Sequence, residues 1–154
     1  MPAKTAIEFG IGDVTLGSAA IDPQWILEGK PEARNKFLFS SADGTATAWI
    51  WDCTAGKFNW YYDIDETVYL IEGSVFIKDH GGGVREVSAG ETIFFPAGSS
   101  AEWTVPTYVR KFAILRTPLP RQVQFAKRVY QSLKRLMGRG NGGDKDPPKM
   151  FQGS

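Results

Sequence analysis

Two stretches decide the fold: residues 66–73, ETVYLIEG, and residues 90–98, GETIFFPAG. In the first, Glu66, Val68 and Leu70 alternate with Thr67, Tyr69 and Ile71, the period of two that a β-strand imposes. Gly73 follows where a hairpin turn is expected, because positive φ is easy for glycine and costly for other residues. In the second stretch, Gly90 and the triplet Pro96-Ala97-Gly98 bracket a short apolar strand, Thr92–Phe95. Pro and Gly end strand pairing and reverse the chain.

Outward from these stretches the same texture continues. Alternating segments run over Lys36–Ser41, Thr45–Cys53, Lys57–Tyr62, Thr67–Glu72, Val75–Lys78, Val84–Val87, Thr92–Phe95, Glu102–Val105 and Tyr108–Arg116. The separators SADG, TAGK, EGS, DHGGG, SAG, PAGSS and VPT mostly hold Gly or Pro, which interrupt strands. Eight or nine strands with such short links imply a closed antiparallel barrel or sandwich over residues 34–118, since closure removes exposed edges. Residues 1–33, containing IDPQWILEGKPEA, read as an irregular N-terminal arm.

Past Pro118-Leu119-Pro120 the period changes. Val123, Ala126, Tyr130, Leu133 and Met137 form one apolar helical stripe, while Arg121, Arg128 and Arg135 recur every seven residues on the opposite side. An amphipathic helix is expected over 119–138, ended by Gly138 and Gly140, with a mobile tail over 139–154. The stripe has no Trp and only Phe125 beside it, so packing on its own barrel or on a partner subunit is expected rather than a membrane.

The chain has 154 residues, enough for one domain that folds without disulfide or metal. Its one cysteine, Cys53, excludes an intramolecular disulfide and suits the reducing cytoplasm. The opening MPAKTAIEFG lacks the apolar core of a secretion signal, and no stretch is apolar enough to span a membrane. Net charge is +1, but residues 117–154 hold eight Lys/Arg against Asp144 and Asp146, leaving the body acidic. The basic residues are spread singly, as on a solvated helix face, and no nucleic-acid partner is expected. P-loop, dinucleotide and G-x-S-x-G motifs are all missing.

The Glu66–Gly73 and Gly90–Gly98 stretches together resemble the two conserved motifs of the cupin superfamily. With WDCTAGKFNWYYDIDETVYLIEG, FPAGSSAEWTV and VRKFAI, roughly residues 20–116 resemble the short single-domain cupins similar to the cupin domain of (S)-ureidoglycine aminohydrolase. The resemblance implies an all-β, cupin-type antiparallel barrel, or jelly roll. It also implies, for an enzyme of that group, ammonia release from a ureide at a manganese centre.

The ligand positions depart from that pattern. Where two histidines are expected before Glu66 stand Trp60 and Tyr62, or Asn59 and Tyr61 in the alternative register. Where a third is expected after the second motif stands Ala101. Only Glu66 remains, and the single histidine, His80, lies in the turn DHGGG. No metal and no other cofactor is therefore expected.

Parity places Glu66, Val68 and Leu70 on the inner face, preceded by Trp60 and Tyr62 and faced by Ala101 and Trp103. The candidate site is an aromatic-lined cavity of Trp60, Tyr62 and Trp103 around Glu66, the one candidate catalytic group, with Lys111 as a further binding residue. Such a cavity suits a small polar or cationic ligand. Two alternatives stay open: core packing of the aromatics, and Glu66 neutralised by Lys111 or Arg110 as a buried ion pair. Cys53 has no activating neighbour and is expected to be inert. Three functions follow: metal-free small-molecule binding, a ureidoglycine aminohydrolase-like enzyme, or a structural or regulatory subunit. A homodimer is expected, with the segment around Trp25-Ile26-Leu27 or an edge strand crossing to the partner.

Overall fold

The structure, a computed structural model, describes residues 15–137. Its elements are β1 (Gly17–Ser18), a 3₁₀ turn (Pro23–Trp25), β2 (Ile26–Gly29), β3 (Ala33–Ser40), β4 (Ala46–Tyr61), β5 (Asp65–Lys78), β6 (Val84–Ser88), β7 (Thr92–Phe95), β8 (Ser100–Arg116) and α1 (Arg121–Met137). The eight strands form one antiparallel sheet in the order β1-β3-β4-β8-β5-β6, with β2 added to β4 and β7 added to β5. The fold is a cupin-type β-barrel. The sheet's unit ends at Pro118, and α1 belongs to a separate unit that begins at Leu119.

Three long strands, β4, β8 and β5, lie side by side and bend along one line. The pairing shifts between Thr54 and Gly56 in β4 and between Gly73 and Phe76 in β5. Each shift is a bulge whose extra residues lie on β8, where Val105–Tyr108 faces Thr54–Gly56 and Thr104–Val109 faces Gly73–Phe76, and the strands kink there. The segments expected as separate strands around TAGK, EGS and VPT are therefore continuous. Gly73, expected in a hairpin turn, instead sits at a bulge inside β5 with φ 77°. A Cβ there would lie 2.0 Å from the carbonyl oxygen of Tyr108 on the neighbouring strand. Gly73 is thus required both by its dihedral and by the close approach of β8.

The bends fold the sheet over on itself. A straight strand would separate Trp103 from Lys111 by about 26 Å, yet Lys111 Nζ lies 4.8 Å from the Trp103 ring. Between the two layers lie Phe58, Val68, Leu70, Val75, Val109 and Trp103, all nearly inaccessible to solvent.

The two stretches that decided the fold are hydrogen-bonded to each other. Glu66 to Tyr69 pair with Phe95 to Thr92, Gly90 N donates to Leu70 O, and Ala89 N donates to Gly73 O. Of the expected arm, residues 1–14 lie outside the described residues. The rest adds β1 to β3 and β2 to β4, and Trp25 packs edge-on against Trp60 and Tyr61 of its own chain. The expected tail, 139–154, lies outside the described residues.

Candidate functional site

Lys111 is the centre of the interior. Its place on β8 puts it on the inward-facing series Val109, Lys111, Ala113. Val68 pairs with Ala113 and Glu66 with Leu115, which brings the start of β5 alongside that series. Lys111 Nζ donates to Glu66 Oε1 at 2.5 Å, and both side chains are more than nine-tenths buried. The ammonium also stands over indole faces: 4.8 Å from Trp51, 4.8 Å from Trp103 and 6.0 Å from Trp60. An indole face carries negative quadrupole density, so three of them and a carboxylate all attract the ammonium. Burying two ions is costly, and the cost is met only when geometry and neighbours compensate. Here the indoles supply the remaining neighbours.

A cavity of about 340 Å³ opens on this pair, lined among others by Asn35, Trp49, Trp51, Trp60, Glu66 and Lys111. Ala19 and Ala20, from the N-terminal segment, close part of its rim. Small residues at Ala113 and at this rim leave the space.

Tyr62 and Trp103 lie behind the pair rather than in the cavity. Trp103 Nε1 donates to the Tyr62 hydroxyl at 2.9 Å. The Tyr62 ring stacks on Phe95 with centroids 4.3 Å apart. Burial, with the nearby Glu66 charge adding to it, raises the Tyr62 pKa well above its ordinary value. Tyr62 is therefore a neutral packing and hydrogen-bonding residue at physiological pH.

The structure thus brings Trp60, Tyr62, Glu66, Trp103 and Lys111 together, with Trp60, Glu66 and Lys111 facing the cavity. Arg110, the other candidate partner for Glu66, points to the opposite face of β8, across from Asp52 and Glu72. Trp49, Trp51 and Asn35 are lining residues that parity alone misses. Counting back from Trp60 in steps of two gives Asp52 and Ile50, but the bulge at Thr54–Gly56 reverses the alternation and turns Trp51 and Trp49 inward. The alternating tryptophans of TATAWIWDC were the available signal.

Other singled-out groups lie apart. Asp52, only 1% exposed, is held on the outer face by two bonds from Arg34 and one from the Tyr108 hydroxyl. Cys53 is fully buried, and burial with the adjacent Asp52 charge pushes its thiol pKa up to about 12. That is the opposite of activation. His80 is exposed and shares a hydrogen bond with the Ser100 hydroxyl.

A manganese centre of the kind the resemblance implies does not fit these residues. Trp60, Tyr62 and Ala101 offer no ligand atoms of the expected type, and the Glu66 carboxylate is engaged by an ammonium 2.5 Å away. Among the described residues no three His, Cys, Asp or Glu side chains cluster as metal donors.

An eight-stranded antiparallel sheet carrying these two glycine-bracketed motifs around an inward-facing site has the cupin-type architecture. Residues 40–113 match the EutQ-like cupin domain. Over 55 residues the chain is 44% identical to acetate kinase EutQ of Clostridioides difficile, a match covering 34% of this chain and 33% of that protein. The chain thus spans about a third of the length of that curated relative. It is similar, at 30% identity and a TM-score of 0.61, to a DUF861-family protein of Pseudomonas syringae pv. tomato, over 66% of this chain and 44% of that one. A cupin-like protein of Thermotoga maritima shares the fold at 12% identity, with a TM-score of 0.54 over 68% and 80% of the two chains. Among the described residues no helix is long and apolar enough to cross a membrane.

Proposed function

We propose that this cupin binds a small polar molecule without a metal, in the cavity above the Glu66–Lys111 pair. The observation that carries the reading is the position of Lys111. Its ammonium sits against the one remaining carboxylate of the expected ligand set, ringed by Trp51, Trp60 and Trp103. A fixed cation with N–H donors supplies the charge that a metal supplies in other sites of this architecture. Because Lys111 already fills the cationic place, the pocket favours an anionic or neutral planar ligand, such as a carboxylate, amide or ureide, over a cation. Such a ligand would set an oxygen toward Lys111 and a flat face on Trp49 or Trp60. A cavity of about 340 Å³ holds a ligand of that size.

A ureidoglycine aminohydrolase-like reaction would need a different source of activation from a metal, and Glu66 would have to leave Lys111 to act as a base. The kinase activity of the EutQ relative is not carried over, since the match spans about a third of that protein. We further propose a cytoplasmic homodimer joined through the outer sheet face, where Tyr69, Phe94 and Ile114 remain exposed in adjacent strands.

The test is a tryptophan-fluorescence titration with acetate, acetamide, allantoin and pyruvate, repeated on Ala113→Leu, which fills the cavity, and on Asn35→Ala, which leaves the core unchanged. Saturable binding of at least one compound, lost in Ala113→Leu and weakened in Asn35→Ala, supports the reading. No saturable response to any of the four, or binding unaltered in both variants, overturns it.

A further inference from the structure

We propose that α1 is a membrane-surface helix that lies in the plane of an anionic lipid interface. The stripe of Val123, Ala126, Tyr130, Leu133 and Met137 has no Trp and only Phe125 beside it, too little by itself for a membrane anchor. With Arg121–Met137 built as one continuous helix, Val129 and Leu136 fall into line with Phe125 and widen that stripe. At 100° per residue, Phe125, Leu136, Val129, Leu133, Ala126, Met137, Tyr130 and Val123 occupy one arc of about 160°, broken only by Gln122. No residue of α1 is buried; Phe125, Tyr130, Leu136 and Met137 are each at least 66% exposed.

The polar side names the occupant. It carries Arg121, Lys127, Arg128, Lys134 and Arg135 and not one acidic residue. Lys134 and Lys127 border one edge of the apolar arc, and Arg121 and Arg128 lie toward the other. Long basic side chains at those borders can lay their stems on acyl chains while their charges reach lipid phosphates. A second copy of the helix offers no acidic residue to pair with these five cations, so their charge favours an anionic surface over self-pairing. Residues 117–154 together carry a net charge of +6, of which the helix itself supplies +5. The helix is too polar to cross the bilayer, so it lies on it.

The experiment is co-sedimentation of the full chain with vesicles of phosphatidylcholine containing half phosphatidylglycerol, against vesicles of phosphatidylcholine alone. The chain should sediment with the anionic vesicles, with affinity about tenfold or more lower on neutral vesicles or in high salt. Leu133→Glu/Leu136→Glu and Arg128→Glu/Arg135→Glu should each abolish sedimentation. The near-ultraviolet circular dichroism of the barrel tryptophans should remain unchanged in both. Failure of the wild-type chain to sediment with either vesicle overturns the proposal and leaves the face to an acidic protein surface. Equal sedimentation of the wild type and both variants overturns it as well.

Discussion

Replacing Glu66 with Gln removes one charge and almost no volume, which isolates the electrostatic role of the buried pair. Lys111 would keep its three indole neighbours but lose the carboxylate that now accepts its hydrogen bond. Stranding one partner of a buried pair costs roughly 3–5 kcal/mol. Cation–π contacts of about 0.5–2 kcal/mol remain with the lysine, so the expected loss lies near 3 kcal/mol. For a chain of this length that corresponds to a fall in Tm of about 10 °C. Lys111→Met should cost a similar amount, because Glu66 is then left buried without its partner. The double variant should cost less than either, giving a coupling of at least about 2 kcal/mol in the cycle. Urea unfolding followed by tryptophan fluorescence reads all four proteins. A loss below about 1 kcal/mol in Glu66→Gln, or additive single effects, would refute the ion pair as a coupled unit.

Gly73→Ala should destabilise the barrel by several kcal/mol or prevent folding, because the new Cβ meets the Tyr108 carbonyl at 2.0 Å and φ is 77°; soluble yield and thermal melts check this. Cys53 should resist a thiol reagent at pH 8 in the folded chain and react on unfolding. The folded state keeps the Cys53 proton to about 12 whereas the ordinary thiol releases it near 9.0. Stability should therefore be full below about pH 9 and fall as pH rises toward 12, with a flatter decline in Cys53→Ala. Tyr62, whose pKa is also raised, adds to the loss in the same direction. Light scattering should give roughly twice 17.0 kDa, shifting to the monomer mass in Tyr69→Lys/Ile114→Lys; a monomer at all micromolar concentrations would contradict the proposed dimer.

The barrel was legible because its signals are local. Glycines at 90 and 98 adopt φ of 93° and 83°, and the strand they bracket, Thr92–Phe95, has the boundaries that the sequence implies. The bends were not legible, because a bulge leaves the same Gly-containing signature as a turn. TAGK and EGS read as strand breaks, yet pairing with β8 resumes beyond each. That one ambiguity hid Trp49 and Trp51, whose inward orientation depends on the reversed alternation. Lys111 was visible only beside Arg110 as a partner for Glu66, and the register of β8 separates the two by turning Lys111 inward and Arg110 to the opposite face. The aromatic cage of Lys111 was not visible, because Trp103 reaches it only after the sheet folds over. Tyr62 follows β4, which ends at Tyr61, so its inward position is set by its bonds to Ser99 O and from Gly98 N rather than by strand alternation.

The most direct test is a crystal structure of untagged protein, purified without chelators and measured with anomalous scattering. The account predicts a non-water molecule in the cavity, with an oxygen within hydrogen-bonding distance of Lys111 Nζ, and no anomalous peak near Glu66. A metal peak coordinated by Glu66 with Lys111 displaced, or a cavity holding only ordered water, would contradict it.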